Sequence, residues 1–111
     1  MVEGFATLEA RAAALAPGMR LTAERENAGE RIELVRAGNK DTCARVAFEA
    51  SEPVIARLLD SAGLPLAEMH AAANEGALGE QGPVCVRKGD AISASAAGAG
   101  ARVRWIAWAL P

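Results

Sequence analysis

Beyond Pro17-Gly18 the sequence alternates apolar and polar residues in short runs, and turn residues cut every run. A side-chain period of two is the mark of a strand with one buried face, and an amphipathic helix does not produce it. "MRLTAERE" (19–26) sets Met19, Leu21 and Ala23 against Arg20, Thr22 and Glu24. Asn27-Ala28-Gly29 follows as a turn, with glycine available for positive φ. "ERIELVRA" (30–37) places Ile32 and Leu34 on one face, and "GNKD" (38–41) turns the chain. "TCARVAFEA" (42–50) points Val46 and Phe48 inward, and Pro53 opens a separate strand, "PVIARLLD" (53–60). "DSAG" (60–63) has the Asp-first, Gly-last order of a type I turn. "LPLAEMHA" (64–71) returns as its hairpin partner, and Pro65, which lacks a donor, puts that strand at an edge. "AAANEGALGEQG" (71–82) reads as a loop. "PVCVRK" (83–88), "AISASA" (91–96) and "RVRWIAWAL" (102–110) complete the pattern, with the last turn at Gly98 and Gly100. Short strands at this spacing predict an all-β fold, an antiparallel β-sandwich or jelly roll of about eight strands.

The first residues follow another period. In "EGFATLEARAAALAPG" (3–18), Phe5, Leu8, Ala12 and Leu15 recur at spacings of three and four, which predicts one short N-terminal helix ended by Pro17-Gly18. The chain thus divides into an N-terminal helix or leader segment, 1–18, and a β-domain, 19–111. Strand 102–110 is apolar on both parities from Trp105 onward, so one of its faces needs a cover. The helix, through Phe5, Leu8 and Leu15, is one source of that cover, and a second subunit is another.

Hydrophobic residues make up 51% of the 111, enough to build a core, but aromatics only 4%. The core is therefore expected to be mainly Val, Leu, Ile and Ala. A net charge of −2 leaves no basic footprint for nucleic acid. No apolar run reaches the roughly 20 residues of a membrane-spanning helix. "MVEGFATLEA" lacks the basic and apolar regions of a secretory signal, which fits either a cytoplasmic chain or a mature exported one.

The two cysteines are the strongest local feature. Each is followed by Cys-x-Arg: Cys43 with Arg45, and Cys85 with Arg87. Within its strand, each pair lies on the parity opposite the buried valines, so both cysteines point outward. If the two strands pair with the cysteines opposed, a parallel arrangement sets Arg45 against Arg87, which is repulsive. An antiparallel arrangement sets Asp41 against Arg87. The residues leave three readings: a disulfide, two free thiols, or a metal or catalytic role. Parity and register favour the disulfide, with Cα atoms about 4.4–6.8 Å apart. A disulfide implies an oxidising compartment, periplasmic or secreted, and free thiols would place the chain in the cytoplasm. With one histidine, and no CxxC or HxxxH spacing, no zinc pattern is present.

The other chemistry-bearing residues have plain structural readings. His70 is a surface or loop histidine. Asp90 caps its own turn, since a calcium loop needs several close oxygen ligands. Ser93 and Ser95 lack a nucleophile elbow. Trp105 shares parity with Val103 and Ala107 and belongs to the core. Trp108 shares parity with Arg104 and Ile106, and these three form the candidate binding surface.

"DTCARVAFEASEPVIARLLDSAGLPLAE" and "GPVCVRKGDAISASA" resemble secreted β-sandwich domains of GC-rich bacteria. In particular, Leu58, Asp60, Gly63 and Leu66 are similar to the "L-x-D-x-x-G-x-x-L" hairpins of pre-peptidase C-terminal accessory domains. The resemblance implies a non-catalytic, extracytoplasmic domain and assigns no site residues. The expectation is a non-enzymatic exported binding or assembly module, without catalytic residue, metal or cofactor. Its partner is another protein or a second copy, met at the edge 64–71 or at strand 102–110. The alternative is a carbohydrate-binding module that stacks a sugar on an exposed Trp108.

Overall fold

A computed structural model describes residues 18–78, 82–98 and 100–110, and all their regular structure is β. The strands are β1 (Arg20–Asn27), β2 (Ile32–Arg36), β3 (Thr42–Leu59), β4 (Pro65–Glu68), β5 (Ala73–Leu78), β6 (Val84–Val86), β7 (Ala91–Ala97) and β8 (Val103–Ala109). Every pairing between them is antiparallel. The helix expected at the N-terminus lies outside the described residues, which begin at Gly18.

One strand organises the rest. The first half of β3 pairs with β8, from Ala44 opposite Ala109 to Ala50 opposite Val103. Its second half pairs with β7, from Ile55 opposite Ala97 to Leu59 opposite Ser93. The strand order β1-β8-β3-β7-β2 therefore bends at β3 into two limbs, with β5 and β6 beside β3 in the first limb and β4 beside it in the second. The result is a nearly closed, jelly-roll-like barrel. The sequence predicts two strands, 42–50 and 53–60, where the fold has one of 18 residues. Pro53 does not end it, because the change of partner falls on residues 51–54. At that bend a missing N–H disturbs no ladder. Ser51 fastens the corner instead: its N–H donates to Arg102 O at 3.0 Å, and its Oγ accepts from Arg102 N at 2.9 Å.

The inward sides of both limbs meet in one core. Trp105, Phe48, Leu58, Ile92, Val46, Val54 and Val103 are all fully buried. Each such side chain contributes about 1.5–3 kcal/mol by leaving water. Alanines at 44, 56, 94 and 107 fill the space between them and let the limbs close in. The Phe48 and Trp105 rings meet at 5.8 Å between centroids, tilted by 46°.

Two further expectations need correction. Residues 71–82 are not all loop, because Ala73–Leu78 forms β5 against Val46–Glu49. The strand escapes pattern reading because its centre must be small: a Cβ on Gly76 would lie 3.1 Å from Phe48 Cε1. In β1, Met19 and Leu21 do not share the core face with Ala23. The register shifts between Leu21, opposite Trp108, and Ala23, opposite Ala107. This bulge at Thr22 reverses the parity of everything before it. Ala23 stays in the core, while Leu21 is 51% exposed.

The 60–64 turn follows expectation closely. Asp60 Oδ1 accepts from Ala62 N and Leu64 N, both at 2.9 Å, and Gly63 takes a φ of 85°. β4 leaves this turn as an edge strand, with Pro65 opposite Leu59.

Candidate functional site

The outward face of the first limb gathers most of the residues singled out in the sequence. Alternation along β3 turns Cys43, Arg45, Ala47 and Glu49 away from the core, because Ala44, Val46 and Phe48 occupy it. The same alternation along β8 turns out Arg104, Ile106 and Trp108. Register then sets them in rows: Trp108 lies between Leu21 and Arg45, Ile106 between Glu24 and Ala47, and Arg104 between Glu26 and Glu49. Candidate residues Trp108, Arg104 and Ile106 therefore do share one surface.

That surface is not an open aromatic platform. Trp108 is 5% exposed and Ile106 is fully buried, in a second apolar cluster with Ala47, against which Met19 packs. The expectation of an exposed Trp108 is thus corrected. Its parity is outward as read, but the bulge in β1 swings Met19 over the same cluster. Trp105 sits in the core as expected. Glu49, on the same face, is 6% exposed, and neither carboxylate oxygen has a hydrogen-bond partner among the described residues. Sequence reading passed over Glu49, whose only signal was its outward parity beside the buried run of β3.

Charges frame the apolar cluster. Arg102 Nη2 lies 2.6 Å from Glu26 Oε1, and Arg104 Nε lies 4.0 Å from Glu26 Oε2. The hydrogen bond from Arg102, reinforced by its charge, holds the Glu26 carboxyl below its ordinary value. At the opposite end of the face, Cys43 and Cys85 are directly opposed on antiparallel β3 and β6 and joined in a disulfide. Their Cα atoms are 4.0 Å apart, slightly closer than expected. The covalent link is consistent with an extracytoplasmic location. Asp41 neighbours this link, yet its Oδ1 accepts from the backbone N–H of Lys88 at 3.0 Å. The expected Asp41–Arg87 pair is not among the ion pairs of the described residues.

His70 is exposed and lines a cleft of about 550 Å3 together with Leu66, Met69, Leu78, Pro83 and Cys85. Asp90 does more than cap its own turn: its Oδ1 accepts from Ala91 N at 2.7 Å and from Ser61 N, across in the 60–64 turn, at 3.0 Å. Among the described residues no three His, Cys, Asp or Glu side chains converge on a metal-sized site. No helix among them is long and apolar enough to cross a membrane.

No protein-family model and no curated protein matches the sequence. The likeness to pre-peptidase C-terminal domains thus extends no further than the hairpin residues that carry it. Solved structures share the fold at a distance. A chain of the acid-stable capsid of Helicobacter pylori bacteriophage KHP30 superposes with a TM-score of 0.51 at 12% identity, over 84% of this chain and 88% of that one. A chain of the cyanophage Pam1 capsid gives 0.46 at 9% identity, over 86% and 88%. A chain from disulfide-linked Bacillus endospore appendages gives 0.37 at 13% identity, over 83% and 88%.

Proposed function

We propose that the chain is a non-enzymatic, exported assembly module that works through contacts with protein, foremost with further copies of itself. The observation that carries this reading is the extent of the likeness to the KHP30 capsid chain, which takes in 84% of this chain and 88% of that one. The two share a whole folded unit, and that unit stands in a capsid. The surface supports the same reading. Leu64, Leu110 and Ile55 are exposed by 62%, 47% and 36%, at a turn, at a strand end and on the bent strand. Edge strands β4 and β1 leave backbone groups open to a further strand. The disulfide supports a periplasmic or secreted setting, where such a link persists. A carbohydrate-binding role gains no support, because the Trp108 indole offers no free face for a sugar ring.

Light scattering over a wide concentration range, followed by electron microscopy of the concentrated protein, tests the reading. Discrete oligomers, rings or filaments that grow with concentration are expected. A chain that stays monomeric throughout and binds on a glycan array would overturn it.

A further inference from the structure

The Cys43–Cys85 link fastens a strand that has little else to hold it. Among the described residues β6 is three residues long and pairs with β3 alone, Val84 opposite Ala44, Cys85 opposite Cys43 and Val86 opposite Thr42. Val86 is buried, Val84 is half-buried and Cys85 is exposed. Cys43 is better held. It is half-buried, its carbonyl oxygen accepts from Leu110 N at 3.0 Å, and the next residue, Ala44, lies opposite Ala109 of β8. The two sulfurs therefore stand in unlike surroundings, one on a strand tied from both sides and the other on a strand tied from one. Cys85 also lines the cleft of about 550 Å3, to which Leu66, Met69 and His70 contribute from the β4 side and Pro83 and Val84 from the β6 side. A space of that size admits a small molecule or a short length of extended chain.

We propose that this disulfide is a reducible latch: a dithiol reductant entering the cleft attacks Cys85 Sγ, and reduction releases residues 83–86 from β3 while the rest of the barrel stays folded. Exchange runs through the sulfur that an incoming thiolate can reach, and that is the sulfur of exposed Cys85. The thiolate forms a bond to Cys85 Sγ, the Cys43–Cys85 bond breaks, and Cys43 leaves as a thiolate that takes up a proton. The second sulfur of the reductant, deprotonated, then displaces Cys85 from the mixed disulfide, and Cys85 takes up the other proton. The protein has gained two electrons and two protons, and the reductant ends as a disulfide. β6 is then left with one buried valine and a three-residue ladder, which places it at the low end of local stability. The core remains, since Val86 is the one β6 side chain among its buried members. The C-terminal end of the strand stays in place, because Lys88 N donates to Asp41 Oδ1 at 3.0 Å and Gly89 N to Gly38 O at 3.1 Å. The opening therefore hinges beside Lys88, widens the cleft and uncovers the edge of β3 at Thr42–Ala44. A change in redox conditions becomes a newly open strand edge.

The test uses the full, oxidised chain. Dithiothreitol is added in native buffer and the thiols are then alkylated. Both Cys43 and Cys85 should be labelled without denaturant, with the β-type circular dichroism spectrum retained. Hydrogen–deuterium exchange read by mass spectrometry should show protection lost at residues 42–44 and 83–86 and kept in β2 and β7. Mercaptoethanol, a monothiol, gives the site of attack: after an acid quench, peptide mapping should find the mixed disulfide on Cys85. The double substitution Cys43→Ser and Cys85→Ser should show the exchange pattern of the reduced parent with no reductant present. A link that resists the dithiol until denaturant is added overturns the proposal, as does a mixed disulfide on Cys43. It is equally overturned if protection at residues 83–86 is unchanged after reduction and in the double variant, or if reduction removes protection from the whole barrel.

Discussion

The side chain of Asn27 anchors the indole of Trp105: Asn27 Oδ1 accepts from Trp105 Nε1 at 3.0 Å, out of contact with solvent. The same oxygen accepts from Gly29 N at 3.0 Å, and Nδ2 donates to Glu30 O at 2.6 Å. One buried amide thus closes the β1–β2 turn and satisfies the polar atom of the largest core side chain. Replacing it leaves a buried indole N–H without a partner, at a cost of roughly 1–3 kcal/mol beyond the lost turn bonds. Asn27→Ala is expected to lower stability by about 3 kcal/mol in urea unfolding. In the Trp105→Phe background, where no N–H is orphaned, the same substitution should cost measurably less.

The Cys43–Cys85 link closes a span of 42 residues and holds three-residue β6 to β3. Chain entropy alone assigns a loop of that size about 4 kcal/mol. Reduction, or the double substitution Cys43→Ser and Cys85→Ser, is expected to lower the melting temperature markedly and leave the β-type spectrum in place. Thiol titration of the denatured, unreduced protein should find no free thiol. Two free thiols would remove both the link and the argument for an oxidising compartment.

These two relationships were unequally legible in the sequence. Opposed outward cysteines follow from period-two alternation, which residues 42–50 and 83–88 carry plainly. That Trp105 lies in the core follows from the same rule, but its bond to Asn27, 78 positions away, depends on β1 pairing with β8. Trp108 shows where alternation falls short. Its outward parity was readable, its burial was not, because nothing in "MRLTAERE" marks Thr22 as the extra residue of a bulge. Pro53 was misread for a similar reason. A proline ends a strand only where its N–H is wanted, and the bend of β3 does not want it. β5 was missed because Ala73–Leu78 owes its place to the space above Phe48, not to an apolar pattern of its own. The assembly reading rests on the fold as a whole, and no motif announces it.

Two glycines should prove irreplaceable, for different reasons. Gly29 has a φ of 98°, and a Cβ there would lie 2.7 Å from the carbonyl oxygen of Ala96. That oxygen is backbone in β7 and cannot move without opening the Gly29–Ala96 hydrogen bond, in which Ala96 N donates to Gly29 O at 2.9 Å. Gly29→Ala is expected to cost on the order of 2 kcal/mol, from strain and crowding together. At Gly76 the backbone is unstrained, and the obstacle is the Phe48 ring. Gly76→Val should therefore be severe in the parent and partly rescued by Phe48→Leu. A double-mutant cycle in urea measures that coupling.

Acid sensitivity should centre on Asp90. Hydrogen bonds from Ser61 and from the Ala91 backbone hold its carboxyl below the ordinary value, with a smaller contribution from the Arg36 charge. The folded-state value is thus lower than the unfolded one, which lies near 3.9. In that case the unfolded chain binds the proton first, so the stabilisation is present above about pH 4 and fades as pH falls through the lowered folded value. Glu26, lowered by Arg102, acts in the same direction at the other end of the barrel. Asp90→Asn keeps an oxygen in place for Ser61 N and Ala91 N but removes the titration. Melting temperature followed from pH 5 to pH 2 should therefore fall less steeply in Asp90→Asn than in the parent, with the remaining slope reduced again in Asp90→Asn combined with Glu26→Gln. Parallel curves for parent and Asp90→Asn would mean that the Ser61–Asp90 contact, which ties the β3–β4 turn to the start of β7, carries no charge-dependent stability.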